Sequence, residues 1–291
     1  MSAIFMSVSG IGLVHSCGGL KDLIAHDDAP KEFTSPDTAR LSELMPGVSL
    51  RRVPHYARMA LLAALEALNA AGWRQPEPLQ RTALVIGTAH SGIQMSMDFM
   101  DSILDNGPHL SSPTAFSHAV NNMGAGLLSL LLGIEGPCFT VSEFELSFAG
   151  AVTTAATLLA ADRVERVLVG AVDEVDHRFA HCCPQLLHPS LPQTEGAAFL
   201  CLTRPVPGAP RLRALWECHA TDASRIFISG DAMREQGVAN EARYGHGPLA
   251  QALDSLLALD LVSKGPDRAV NCLCRASSSK RGALIEVRSA P

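Results

Sequence analysis

The sequence has 291 residues, of which 47% are hydrophobic, with eight cysteines and a formal net charge of −6. This length and hydrophobic content support a large core in one domain or in two closely packed halves. The negative charge and the lack of a basic run argue against nucleic acid and anionic membrane as partners. The cysteines show no zinc spacing and the N-terminus no secretory pattern, so we expect a cytoplasmic protein with reduced thiols and no membrane span.

The first predicted strand, residues 3–13 (AIFMSVSGIGL), ends in two glycines, Gly10 and Gly12. This pair does not indicate a dinucleotide-binding turn, because no third glycine follows at the required spacing. Residues 18–26 and 38–45 are predicted to form short helices.

A long helix is predicted for residues 53–72. Pro54 lies near its first turn and Gly72 just beyond its end, which is the usual placement of these two residue types around a helix. The next segment, Thr82–Gly87 (TALVIG), has no charged residue and is predicted to be a buried strand.

Residues 91–132 combine a methionine-rich stretch with a polar turn. Met95, Met97, Phe99 and Met100 indicate a core or an interface, and methionine also suits the wall of an acyl-chain tunnel. The segment 113–123 (PTAFSHAVNNM) then leads into an apolar stretch that is predicted to be helical.

The centre of the chain, residues 131–174, has the pattern of a strand, a sharp turn, a helix and a second strand. Phe139 and Val141 favour a strand, and small and apolar residues then recur at helical spacing from Phe144 to about Ala160. Residues 164–172 are nearly without charge, as in a strand that is buried on both faces.

The run GPCFTVSEFELSFAGAV resembles the nucleophile region of the β-ketoacyl synthases of the thiolase superfamily. In that family a cysteine nucleophile lies at the turn between the strand and the helix. Ser142 and Phe144 replace its Asp and its Ala, and the positions that agree with the pattern are Gly136, Pro137, Thr140, Val141 and, at its second Ser, Ser147. Glu145 stands at the position of the cysteine.

The glutamate at position 145 changes the chemistry that the resemblance implies. A ketosynthase accepts an acyl group from a thioester on a thiolate, whose pKa a helix N-terminus lowers. A carboxylate would form a mixed anhydride instead, and the helix N-terminus would hold Glu145 as an anion. Cys138 is the nearest cysteine, but it precedes the turn and is predicted to lie in the strand, where it would not act as a nucleophile.

Histidines cluster between residues 177 and 193. The spacing of His177, His181 and His188 would fit a metal site, but three prolines interrupt the segment and no ordered helix is evident, so a loop is predicted for residues 179–193. No metal and no cofactor are expected. The following run EGAA at residues 195–198 again resembles the β-ketoacyl synthases.

The second half of the family carries two histidines and a gating loop with a phenylalanine, and this half is short here. Residues 211–219 are predicted to be its first strand. By resemblance, Ser229 lies at the first histidine position and His246 at the second, before a predicted helix. The last strands are predicted for residues 269–274 and 282–287, and the loop between them has no phenylalanine.

The resemblance implies an α/β protein with thiolase-like αβαβα layers and two similar halves, residues 1–205 and a shortened half at 206–291. It implies a chain-length factor: a subunit without activity of its own that forms a heterodimer with an active β-ketoacyl synthase and meets an acyl carrier protein through that complex, as in aryl-polyene pathways. The dimer strand is expected at residues 135–142. The tunnel and interface residues are expected to be Phe116, Asn121, Asn122, Met123, Cys138, Phe139, Thr140, Val141 and Phe144.

Two alternatives stay open at this point. Some relatives carry Gln in place of the cysteine and still decarboxylate malonyl thioesters, and Glu145 has the shape of Gln, although its charge would oppose the developing enolate. A homodimeric scaffold without a synthase partner is the other alternative. Carbon dioxide release from a malonyl carrier protein separates a decarboxylase from a chain-length factor.

Overall fold

The computed structural model describes residues 4–16, 18–25, 35–73, 79–183, 194–216, 226–229, 238–239, 248–265, 268–275 and 281–290. The strands in these residues are β1 Met6–His15, β2 Thr82–Gly87, β3 Cys138–Val141, β4 Arg166–Asp173, β5 Gly196–Thr203, β6 Arg211–Trp216, β7 Ile226–Ser229, β8 Val238–Ala239, β9 Ala269–Arg275 and β10 Gly282–Arg288. The α-helices are α1 Leu20–Ala25, α2 Leu41–Leu44, α3 His55–Ala71, α4 Ile93–Asn106, α5 Pro113–Ala119, α6 Met123–Leu132, α7 Ser147–Ala160, α8 His177–Cys182 and α9 Pro248–Ser263. Two short 3-10 turns span Pro108–Leu110 and Phe144–Leu146.

The strands form one sheet in the order β3-β2-β4-β5-β1-β6-β10-β9-β7-β8, which contains the same plan twice. In each half the first and fourth strands run antiparallel to the fifth, and the second strand runs parallel to the third and fourth. The halves meet where β1 and β6 pair at Met6↔Leu212 and Ser7↔Arg211. The expected α/β fold of two similar halves is confirmed, whereas a domain boundary at residue 205, between β5 and β6, stays a prediction.

Two buried clusters hold the layers together. In the first, α7 and α9 pack between the strands of the two halves, with Phe148, Val152, Leu253 and Leu256 fully buried among them. In the second, α3 and α6 cover the outer face of β2, β4 and β5. Four of the five expected layers therefore lie within the described residues, and the expected fifth layer is not among them.

Helix α3 lies directly on β1 because the strand presents glycines to it. A Cβ atom at Gly12 would lie 2.0 Å from the carbonyl oxygen of Ala63, and one at Gly10 would lie 2.4 Å from that of Ala67. Any side chain at these positions would push the helix off the sheet, which a close-packed core does not tolerate. The two glycines at the end of the first predicted strand are therefore explained by helix packing.

The loop predicted for residues 179–193 is wrong in its first part, since residues 179–182 belong to helix α8, which spans His177–Cys182. Its N-cap is Asp176, whose Oδ1 accepts hydrogen bonds from the N–H groups of Arg178 at 2.8 Å and Phe179 at 3.1 Å. A carboxylate cap of this kind stabilises a short helix that has little apolar periodicity. Residues 184–193 of the same segment lie outside the described residues.

The described helices are too short or too polar to cross a membrane. Among those in the described ranges, none has both the length and the apolar character that a bilayer span needs.

Candidate functional site at the turn between β3 and α7

The turn between β3 and α7 places Glu145 immediately before a buried helix. The chain leaves β3 at Val141, passes through the 3-10 turn Phe144–Leu146, and enters α7 at Ser147. Phe144 has φ +49°, a left-handed conformation that a residue with a bulky side chain rarely adopts and that costs of the order of 1 kcal/mol. Such strain is concentrated at functional sites, and here it sets the direction of the residue that follows.

Ser147 ties this turn to the end of β2. Its hydroxyl oxygen is buried, accepts a hydrogen bond from the N–H of Glu143 at 2.7 Å, and lies 3.0 Å from the carbonyl oxygen of Thr88 and 2.6 Å from that of Phe144. The approach is so close that a Cβ atom at Gly87 would lie 2.6 Å from the Ser147 carbonyl oxygen. The hydroxyl of Ser147 and the lack of a side chain at Gly87 thus both allow the turn to pack against the end of β2.

A buried carboxylate anchors the loop that follows β2. Asp173, at the end of β4, accepts hydrogen bonds at Oδ1 from the Thr88 hydroxyl at 2.9 Å and from the N–H groups of Ala89 at 2.9 Å and His90 at 3.2 Å. Burial raises the pKa of Asp173 to about 7, although these hydrogen bonds act in the opposite direction. This loop geometry places the imidazole of His90 beside the turn.

His90 is a site residue that the sequence reasoning missed. Its ring lies 4.9 Å from the ring of Phe179 and 6.0 Å from that of Phe144, measured between centroids. Burial lowers the pKa of His90, and the negative charge of Glu145 opposes that shift. Its position just after the buried strand β2 could have identified it, because parallel strands carry site residues at their carboxyl ends.

The second half contributes a thiol to the same place. Cys274 on β9 is buried, and its Sγ donates a hydrogen bond to the carbonyl oxygen of Glu145 at 3.4 Å. Cys274 is paired in register with Ser229, so the end of β7 also lies next to the turn. His246, expected at the second histidine position, lies outside the described residues.

Neither cysteine at the site has the environment of a nucleophile. The thiol of Cys138 donates a hydrogen bond to the carbonyl oxygen of Ala125 at 3.3 Å, and burial raises its pKa. A reactive thiolate needs the opposite, a lowered pKa and access to substrate. Cys274 is fully buried, whereas Glu145 in the turn is half-buried.

Three of the expected tunnel and interface residues have exposed aromatic rings. Phe116 on α5, Phe139 on β3 and Phe144 in the turn are 56%, 44% and 53% exposed. The strand itself, Cys138–Val141, is shorter than the expected 135–142, and it ends the strand order with β2 as its described neighbour. An exposed strand edge with large apolar side chains is a typical association surface.

The other expected residues lie on or near the same strand, and some of them are buried. Asn121 and Asn122 form the turn between α5 and α6, and the Thr140 hydroxyl donates a hydrogen bond to Asn122 Oδ1 at 3.2 Å. Met123, the first residue of α6, is buried in the core, and Val141 packs against the cluster that contains α7. Their roles in a tunnel or an interface stay predictions.

The histidine cluster gains no support as a metal site from the described residues. His177 and His181 lie on α8, and no group of three or more His, Cys, Asp or Glu side chains within the described part of the chain has a metal-binding arrangement. His188 lies outside that part.

The family follows from a comparison with family models. A model described as "Beta-ketoacyl synthase, N-terminal domain" matches residues 25–224, about two thirds of the chain. The chain belongs to the β-ketoacyl synthase family.

Among curated members, it is 26% identical to the chloroplastic 3-oxoacyl-[acyl-carrier-protein] synthase I of Hordeum vulgare over 102 residues, which cover 33% of this chain and 22% of that protein. It is 23% identical to 3-oxoacyl-[acyl-carrier-protein] synthase 2 of Vibrio harveyi over 134 residues, 46% and 32% of the two chains. The match thus spans about a fifth to a third of these relatives.

Solved ketosynthase structures share the fold over nearly the whole chain. The ishigamide ketosynthase/chain length factor has a TM-score of 0.77 at 14% identity and covers 98% of this chain and 99% of its own. The type II polyketide synthase complex AntDE:AntF, a ketosynthase with its acyl-carrier protein, has 0.79 at 16%, with 99% and 100% covered. The ketosynthase ApeO with its chain length factor ApeC from Xenorhabdus doucetiae has 0.67 at 14%, with 98% of each covered. Identities this low establish the fold of this family member and nothing further.

Proposed function

We propose that this chain is a chain-length-factor-like subunit that does not catalyse condensation itself, pairs with an active β-ketoacyl synthase, and shapes the acyl tunnel of the pair. The observation that carries the proposal is Glu145 in the turn between β3 and α7, where the family keeps its cysteine. The fold and the turn of a ketosynthase are retained, while the acyl-accepting group is replaced.

The chemistry of the replacement favours a role other than acyl transfer. Condensation needs an acyl group held on a nucleophile that later leaves, and a thiolate serves as both. The first turn of α7 favours a negative charge at Glu145, and a carboxylate is a weaker nucleophile than a thiolate. Burial lowers the pKa of His90 beside the turn, and the thiol that the described part of the second half brings there, Cys274, is buried and bonded to the Glu145 carbonyl oxygen.

The partner surface that we propose is the β3 edge and the aromatic side chains around it. Pairing of β3 with the same strand of a ketosynthase would add backbone hydrogen bonds and bury Phe139 and Phe144 against the partner. Phe116, beside this surface on α5, would then close the end of the partner's acyl tunnel. Several structures with this fold contain a chain length factor or an acyl-carrier protein. They support a ketosynthase as the direct partner and an acyl carrier protein as the indirect one. A place in an aryl-polyene pathway is part of the proposal.

Co-expression with a β-ketoacyl synthase tests the catalytic half of the proposal. We expect a 1:1 complex by light scattering, condensation that persists in a Glu145→Gln variant, and complete loss when the partner's cysteine is replaced. Glu143→Gln, an exposed carboxylate of the same turn, is the matched control. An acyl adduct on the isolated chain in intact mass spectra, or condensation by the chain alone, would contradict the proposal.

The same preparation separates the alternatives. Carbon dioxide release from a malonyl carrier protein by the isolated chain, abolished in Glu145→Ala, would establish a decarboxylase instead. A stable homodimer that does not exchange with the synthase would establish a scaffold. For the tunnel, Phe116→Ala and Phe116→Trp should lengthen and shorten the products of the pair, since the side chain is exposed and can change size without disturbing the core.

A further inference from the structure

Arg178 joins two helices through three carboxylates. Its guanidinium lies 2.8 Å from Asp98 and 2.7 Å from Asp101, both on α4, and 2.7 Å from Asp176 at the N-cap of α8. The group is 39% exposed, so each ion pair alone is weak. A planar guanidinium with donors in several directions can nevertheless fix the relative position of several acceptors at once, which an ammonium cannot.

The segment after β4 holds α4 at further points. The N–H of Gln94, in the first turn of α4, donates a hydrogen bond to Glu174 Oε1 at 2.9 Å. The side-chain amide of Gln94 donates to the carbonyl oxygen of Val175 at 3.1 Å, and Arg178 reaches the carbonyl oxygen of Gln94 at 3.4 Å. Residues 174–178 therefore act as one clamp along α4.

This clamp connects the turn at Glu145 with the apolar residues proposed to end the tunnel. On one side, the ring of Phe179, next to Arg178 in α8, lies 4.9 Å from that of His90 at a tilt of 53°, and His90 lies beside Phe144. On the other side, α4 carries Phe99, whose ring lies 5.3 Å from that of Phe116 on α5. A shift of α4 would therefore move Phe116, while the β3 edge and the core behind it stay in place.

We propose that Arg178 is a positioning residue for product length, which it sets by fixing α4 and, through Phe99, the ring of Phe116. The inference rests on the proposed function. Without the guanidinium, Asp98, Asp101 and Asp176 form a cluster of like charges that repel one another. Helix α4 then moves away from α8, and the support behind Phe116 is lost.

The test compares products of the co-expressed pair by chromatography and mass spectrometry. Arg178→Ala should broaden the distribution toward products longer by one or more two-carbon units, and Arg178→Lys should restore it only in part. A double variant, Asp98→Asn with Asp101→Asn, weakens the two contacts of Arg178 with α4 without leaving like charges to repel, and should shift the products in the same direction as Arg178→Ala but by less. Arg40→Ala removes an exposed ion pair with Glu66 on α3 and serves as the control, with unchanged products expected.

Complex yield, thermal unfolding and total carbon incorporated are measured for every variant, because a merely structural role would lower these without changing length. If Phe116 variants alter the products but Arg178→Ala and the double variant do not, the positioning role is wrong and the proposed function stands. If Phe116 variants also leave the products unchanged, the tunnel role fails and this inference fails with it.

Discussion

Replacing Ser147 with Ala tests whether its hydroxyl holds the turn that presents Glu145. The side chain is fully buried, accepts the N–H of Glu143 at 2.7 Å, and reaches the carbonyl oxygen of Thr88 at 3.0 Å. Removing one partner of a buried hydrogen bond costs about 1–3 kcal/mol, because the other partner loses its contact without regaining water. We therefore expect the free energy of unfolding to fall by about 2 kcal/mol.

Urea denaturation followed by circular dichroism measures this difference. Ser42→Ala is the matched control, since the Ser42 hydroxyl is exposed and bonds the carbonyl oxygen of Ala39 nearby in the chain. Its effect should stay within about 0.5 kcal/mol. Equal unfolding free energies for the two variants would refute the reasoning that the hydroxyl anchors the turn, and amide exchange at Glu143 would then also match the wild type.

Two further predictions concern titration and reactivity. Burial raises the pKa of Glu174 from 4.5 to about 7, so between these values the folded protein binds a proton that the unfolded chain has lost, and stability falls as the pH rises. In urea unfolding from pH 5 to 8, the free energy of unfolding of Glu174→Gln should rise relative to that of the wild type, by at most about 1.4 kcal/mol per pH unit. A difference between the two proteins that does not depend on pH would count against this. Iodoacetamide should label exposed Cys182 in the native protein and reach Cys201 and Cys272, whose pKa values burial raises, only after denaturation. Peptide mapping that finds all three labelled at one rate would contradict the buried core.

The elements whose signals lie within their own residues were predictable. The long helix predicted for residues 53–72 is His55–Ala71, with Gly72 in the left-handed conformation at its C-cap, and the charge-free strand Thr82–Gly87 has the predicted bounds. The turn with Glu145 between a strand and a helix followed from one apolar pattern changing into another. Local composition and capping residues are sufficient for such elements.

The rest depended on contacts between distant segments. His90 reaches the turn only because β2, β3 and β4 are parallel neighbours and because Asp173, more than eighty positions later, binds its N–H. Helix α8 was not predicted, because its stability comes from the N-cap Asp176 and from ion pairs with α4. Residues that act through such tertiary contacts carry no periodic signal, so a single sequence does not indicate them.

The central place of β1 in the sheet determines when this protein is able to fold during synthesis. Ser9 on β1 bonds Cys201 on β5, 192 positions later, and Met6 pairs with Leu212 on β6. β1 therefore leaves the ribosome long before the strands with which it pairs, and until these follow, the apolar faces of β1 and α3 stay exposed. Such long-range pairing slows folding and favours aggregation of the nascent chain. The pairing of β1 is completed only once β6 has been translated.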